Sequence, residues 1–232
     1  NFDVVINLHP NERCSFICAL TKTKWRVGTC HTIFRPFWDI FVQLDRTIHA
    51  ADMYLDVLHE LGVKDLEHNG LEMYVSEEDT SNANAFWCEQ GVVAEDRLVG
   101  FNIGSAIPTK RWAPERFAKV ADAMTAKGYK TVFFGGSMDE IFVKEAIAAM
   151  ESTPIVATGA FSIGALAVAL RRSNLLVTTD SGPMHIAISQ DVPIVALYGP
   201  SLVKLYGPYT KNAMVVIAVP PCLGCASGMK HK

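Results

Sequence analysis

The chain has 232 residues, half of them apolar and 19% charged, enough to bury one large core or two modest ones and too apolar for a disordered chain. Its longest apolar runs, such as Ile194 to Tyr198 and Met214 to Val219, fall far short of the roughly 20 residues that cross a bilayer. No N-terminal signal pattern is present, so a soluble globular protein is expected, and a net charge of −3 argues against a general nucleic-acid binder.

Charge is segregated along the chain. Positions 1–50 carry six basic and four acidic residues, 51–97 carry two and twelve, and 98–232 carry thirteen and eight. The acidic stretch around Glu77, Glu78 and Asp79 reads as a solvated helix or linker face, and the basic C-terminal part is where an anionic ligand belongs. The 6 cysteines are scattered through a chain too large to need stapling, which implies reduced thiols and a cytoplasmic protein.

In chain order, Phe2 to Leu8 reads as a strand, Trp25 to Val27 with Gly28 as a second strand end, and Ala51, Tyr54, Leu58 and Leu61 with Gly62 behind them as an amphipathic helix. A parallel sheet has about five or six strands, and only two or three are found here, so the first strands of this domain are expected to be absent. From Leu98 onward, strand and helix signals alternate regularly. Leu98 to Ile103 is a buried strand. Pro114 opens a helix with Phe117, Val120, Ala121 and Met124 on one face and Gly128 past its end. Thr131 to Phe134 is the next strand, and a helix with Val143, Ala146, Ile147 and Met150 inward follows. After a short strand at Pro154 to Ala157, Ser162 caps a helix whose stripe is Ile163, Leu166, Ala167 and Leu170. Leu175 to Thr179 is a strand, Pro183 to Ser189 a short helix, and Pro193 to Tyr198 and Met214 to Val219 two further strands. Continuous apolar strands separated by amphipathic helices predict an α/β, doubly wound parallel sheet. The domains are placed at 1–94 and 95–232.

Ligands of such sheets bind outside the carboxyl ends of the strands. The loop after Ile103, Gly104-Ser-Ala-Ile-Pro-Thr-Lys-Arg-Trp112, offers hydroxyls and two cations ahead of a helix start, or is simply a solvated loop. The loop after Thr179, Asp180-Ser-Gly-Pro-Met-His185, turns from strand to helix in very few residues. Backbone amides at Ser181, Gly182 and Met184 with His185 would suit phosphate, and Asp180 would orient a sugar hydroxyl or hold a neighbouring cation; the alternative makes Asp180 or Ser181 a simple N-cap and His185 a structural histidine. In Gly135-Gly-Ser-Met-Asp-Glu140, Asp139 or Glu140 would accept from a ribose diol or merely satisfy a helix start. Phe161 would stack on a base or belong to the core.

No Gly-x-Gly-x-x-Gly and no P-loop motif occurs, and no Asp-x-Asp pair is present to hold a divalent metal under a diphosphate. Cys222-x-x-Cys225 supplies only two possible ligands, so free thiols are expected there rather than zinc.

The loop from Gly104 to Phe117, Gly135 to Glu140, and Asp180 to Ala187 with Val192 to Pro200 together resemble glycosyltransferase family 9, the heptosyltransferases of lipopolysaccharide core synthesis. Asn7-Leu8 through Arg13, Arg26 to Gly28 and His49 to Gly62 resemble the later part of that family's N-terminal domain. The resemblance implies a GT-B architecture of two Rossmann-like domains facing a cleft, the C-terminal one binding the nucleotide-sugar donor. It also implies ADP-L-glycero-D-manno-heptose as donor, an anionic Kdo- or heptose-bearing lipid A acceptor, inversion at the anomeric carbon, and neither metal nor cofactor. Ser105, Thr109 and Lys110 would bind the donor, with Lys110 stabilising the leaving phosphate. Glu140 would meet the ribose, Asp180 the heptose, and Ser181, Gly182 and His185 the diphosphate. The family's Gly-Asp loop, holding the expected general base, has no counterpart in this sequence, and Asp3 lies within a strand. Arg13, Lys22, Lys24 and Arg26 form a basic cluster suited to the acceptor. A monomer with at most peripheral membrane contact is expected. The competing readings are an epimerase or transferase using a UDP- or GDP-sugar, and a nucleotide-sugar-binding fragment without catalysis.

Overall fold

A computed structural model describes residues 2–9, 11–29 and 33–218. The chain falls into two compact units, Asn1–His68 and Asn69–Lys232.

The first unit is a three-stranded parallel sheet in the order β1 (Val4–Asn7), β2 (Trp25–Gly28), β3 (Ile40–Phe41). Helix α1 (Glu12–Ala19) was not foreseen; Asn11 caps it by accepting from the Cys14 amide at 2.8 Å. Helix α2 (Ala50–Glu60) was, but its buried residues are Met53 and Val57, while Tyr54 and Leu58 lie at the margin of that face. Gly62 ends it with a left-handed φ of 87°. Asp3 stands just ahead of β1, not inside it. The strand predicted at Phe2 to Leu8 is shorter because its ends lack a ladder partner. Phe2 is 83% exposed, and Val4, Ile6 and Leu8 are also exposed, which leaves one stripe of β1 uncovered.

The second unit is a six-stranded, wholly parallel sheet in the order β6-β5-β4-β7-β8-β9. Its strands are β4 (Leu98–Asn102), β5 (Lys130–Gly135), β6 (Ile155–Thr158), β7 (Leu175–Thr179), β8 (Ile194–Tyr198) and β9 (Ala213–Ile217). The helices are α3 (Glu77–Glu89), α4 (Pro114–Ala126), α5 (Glu140–Ala148), α6 (Ile163–Arg171), α7 (Gly182–Ile188) and α8 (Val203–Tyr206). The period-2 alternation of the strands divides the core into two. Val99, Phe101, Ile103 and Phe133 pack with Phe117 and Ala121 of α4 and Val143 and Ala146 of α5. Leu98, Phe134 and Leu176 pack on the other face with Trp87, Leu170 and Met184.

Two features differ from the expected plan. Helix α3, assigned to the N-terminal domain by the 94/95 boundary, packs against α6 within the second unit. Its Asp79 accepts from the Ser76 amide and hydroxyl, closing a capping box, and also from the Ser162 hydroxyl at 2.8 Å, so one carboxylate joins the starts of two helices. Those hydroxyls and the Ser76 amide hold Asp79 below the usual carboxylate range. The second difference is the face of α6. Ile163 is 68% exposed, and the buried residues are Ala165, Ala167, Ala169 and Leu170. Small residues let α3 approach closely, and a Cβ on Gly164 would overlap the Asp79 carboxylate.

Candidate functional site

In the second unit the strand order reverses between β4 and β7. This switch point is where an open parallel sheet leaves a crevice beyond its carboxyl ends. The loop leaving β4 forms a single 3-10 turn, Pro108–Lys110, before Pro114 starts α4 at its first-turn position. The loop leaving β7 is Asp180 and Ser181 alone, after which α7 begins. These two loops bring Lys110 Nζ to 2.7 Å from Asp180 Oδ2, with the side chains only 16% and 7% exposed. The contact is an ion pair at the distance of a charge-assisted hydrogen bond. Asp180 thus lies beside a cation, one of the two roles open to it. Burial, and then the charge of Asp180, push the Tyr198 phenol upward, so it stays a neutral donor, given to the Tyr206 carbonyl at 2.6 Å.

The switch point is tied by side chains that sequence reasoning passed over. Asn102 ends β4 and lies opposite Thr178 in the ladder. Its Nδ2 donates to Thr178 Oγ1 at 3.1 Å and to Ser181 Oγ at 2.8 Å. The Thr179 hydroxyl donates to the Gly104 carbonyl at 2.7 Å, crossing the same seam. Arg111 closes the Lys110 loop by donating from Nε to the Ser105 carbonyl at 2.8 Å, with its guanidinium 4.2 Å from the centre of the Phe142 ring. A readable signal existed for the first two: Asn102 and the Thr178-Thr179 pair are polar residues ending otherwise apolar central strands, and buried polar groups demand partners.

The other expected residues take several positions. Ser105 is buried, and its hydroxyl accepts from the Ile107 amide at 3.3 Å, so it shapes the loop from within. Thr109 is exposed beside Lys110, and Gly182 opens α7 with no atom near the place of a Cβ. His185 is half-buried on α7. Between Asp139 and Glu140 the structure divides the work. Asp139 Oδ2 accepts from the Gly136 amide at 2.9 Å and packs so closely on Gly104 that a Cβ there would overlap it. Glu140 is exposed. Its Oε2 lies 3.2 Å from Lys144, while Oε1 faces Gly159 at the end of β6, at 4.0 Å from the place of a Cβ. Phe161 packs edge-on against Phe86 of α3 at 4.8 Å and belongs to the core margin, so its ring is engaged there.

A cavity of about 350 Å³ adjoins Lys110, lined by Thr109, Arg111, Trp112, Tyr198, Gly199 and Pro200 among others. Among the described residues, no three His, Cys, Asp or Glu side chains gather as metal ligands. Cys222 and Cys225 lie outside the described residues. In the first unit Arg26 is paired with Asp39, which accepts from its Nε at 3.1 Å and from its backbone amide at 2.8 Å. No helix among the described residues is long and apolar enough to cross a membrane.

The model of glycosyltransferase family 9 (heptosyltransferase) matches residues 1–231, and the chain belongs to that family. Lipopolysaccharide heptosyltransferase 2 of Salmonella typhimurium is 30% identical over 178 residues, which is 72% of this chain and 50% of the relative. The chain spans about half the length of the curated relatives it matches first. Among solved structures, a glycosyl transferase family 9 protein from Veillonella parvula superposes with a TM-score of 0.85 at 53% identity, covering 93% of this chain and 62% of that one. The E. coli ADP-heptose lps heptosyltransferase II shares the fold with a TM-score of 0.78 at 24% identity, covering 92% and 68%. The fold class is GT-B, with each unit built on a parallel Rossmann-like sheet.

Proposed function

We propose that the protein transfers a heptose from ADP-L-glycero-D-manno-heptose to an inner-core lipopolysaccharide acceptor, with inversion at the anomeric carbon and without a metal ion. Family membership and relatives named as lipopolysaccharide heptosyltransferases support the reaction class. The observation that carries the mechanism is the buried Lys110 and Asp180 pair at the switch point. An ammonium has three N–H donors. Asp180 holds the charge in place, and the remaining donors meet the diphosphate as its bond to the sugar breaks.

In this reading a base takes the proton of the acceptor hydroxyl, whose oxygen forms a bond to the anomeric carbon from the face opposite the diphosphate. The carbon–oxygen bond to the distal phosphate breaks, and ADP departs with the electron pair. Lys110 stabilises the charge that develops there, an effect of the kind that fixed donors supply without reorganisation. Glu140, at the ends of β5 and β6, receives the ribose hydroxyls. No residue of this chain is assigned as the base. Asp3 stands at the amino end of β1, the end that parallel sheets do not use for ligands. The acceptor is an anionic glycolipid, met by peripheral contact at the cytoplasmic face of the membrane.

Transfer of heptose to Kdo-lipid A or its heptosylated form in the presence of EDTA tests the reading, together with calorimetry of ADP, UDP and GDP. Preference for ADP and chelator-resistant turnover support it. Preference for UDP or GDP would replace the donor, and loss of turnover with EDTA would remove the metal-free mechanism.

A further inference from the structure

The Ser181 hydroxyl is the least committed proton in the seam between β4 and β7. A hydroxyl has one proton and two acceptor sites, whereas an amide NH₂ only donates. Asn102 Nδ2, on a residue 1% exposed, donates to both Thr178 Oγ1 and Ser181 Oγ, which fixes both oxygens as acceptors on that side. The Thr178 proton goes to the Thr179 carbonyl at 2.9 Å, and the Thr179 proton goes to the Gly104 carbonyl at 2.7 Å. The Ser181 proton is left with the same Thr179 carbonyl at 3.3 Å or the Thr179 hydroxyl oxygen at 3.5 Å, the two longest of these contacts.

We propose that Asn102 is a positioning residue for the donor. By donating to Ser181 Oγ it turns that hydroxyl's proton outward, so that Ser181 meets the diphosphate as a hydrogen-bond donor. This rests on the reading of the site as one for a nucleoside diphosphate sugar. An acceptor at position 102 would reverse the polarity, drawing the Ser181 proton inward and presenting a lone pair to an anion.

Two variants and one titration test it. Calorimetry of ADP with the purified protein, from acid to mildly alkaline pH, compares wild type with Asn102→Asp and Ser181→Ala, with thermal melts to check folding. Ser181→Ala is expected to weaken ADP about tenfold at every pH, the size of one hydrogen bond to a charged group. Asn102→Asp is expected to weaken it by at least as much at alkaline pH and to recover as the introduced carboxyl is protonated and can again donate. In a merely structural role stability would recover together with affinity, so the melts taken at each pH must stay level while the affinity recovers. Affinity of either variant within about twofold of wild type throughout would overturn the proposal. If Asn102→Asp does not fold, Ser181→Ala alone decides on the same criterion. Wild-type protein that binds no ADP would instead remove the reading on which the proposal rests.

Discussion

Lys110 Nζ and Asp180 Oδ2 meet at 2.7 Å across the seam where the two halves of the six-stranded sheet diverge, one carried by the loop after β4 and the other by the first residue after β7. Removing Lys110 leaves the Asp180 carboxylate buried and unpaired, whereas removing Asp180 leaves an ammonium that borders the cavity. Lys110→Ala is expected to lower turnover by about a hundredfold or more, the usual loss when a preorganised donor to a developing oxyanion is deleted. Asp180→Ala is expected to destabilise the fold by no more than about 1 kcal/mol, because the ammonium borders the cavity and can meet water there. Steady-state rates beside denaturant melts separate the two effects. Turnover of Lys110→Ala equal to wild type would exclude the leaving-group role.

Gly104 and Asp139 form a second pair whose fit is steric. Alanine at 104 must push the Asp139 carboxylate away from the Gly136 amide it caps, for a loss of about 1 kcal/mol. Because both changes act on one contact, Gly104→Ala combined with Asp139→Ala is expected to be less destabilising than the sum of the single variants. A double-mutant cycle on unfolding free energies measures this, and strict additivity would count against it.

Arg111 staples the loop that carries Lys110, from the Ser105 carbonyl to the face of Phe142. Lysine keeps the charge but lacks the planar guanidinium that donates and stacks at once. Arg111→Lys is therefore expected to raise the donor KM about tenfold with a smaller change in kcat. A variant indistinguishable from wild type in both constants would show that the loop holds without the staple.

Asp79 makes stability depend on acid. Its folded-state pKa is depressed by the Ser76 and Ser162 hydroxyls, so its contribution is complete above the ordinary aspartate value and is lost as pH falls through the lower folded value. Asp96, hydrogen-bonded to Lys130, and Asp122, hydrogen-bonded to Ser152, act in the same direction. Asp79→Asn should melt lower than wild type at neutral pH, and the gap should narrow on acidification below the usual carboxylate range. A gap constant with pH would show that the carboxylate charge is not what joins α3 to α6.

Much of the second unit was legible because its strands are apolar throughout and its helices carry clear starts. Pro114, Ser162 and Gly128 stand where the sequence placed them. Lys110 and Asp180 were each legible as residues of strand-end loops. Their contact was not, because it depends on β4 and β7 being neighbours, and a linear pattern does not state strand order. Asn102 was passed over within the run Leu98 to Ile103 for the same reason, since its partners lie across the seam. Helix α3 was misassigned because its apolar positions are few, and what ties it to the second unit is a carboxylate shared with α6. Arg26 looked like a free cation because Asp39 is distant in sequence and adjacent only through the β2 and β3 ladder.

The placement of the site at the switch point also has a kinetic meaning. Asn102 and Ser181 are 79 residues apart, and in the chain β5, β6 and their helices separate the two strands that they terminate. Closing such a loop is entropically slow, and parallel pairing of this range governs the folding rate of a sheet. The β4 and β7 pairing is therefore expected to form later than the local strand–helix contacts of the second unit. If the proposed site is right, a refolding chain is expected to gain ADP binding only once the β4 and β7 seam has closed, which stopped-flow refolding with a nucleotide probe would time.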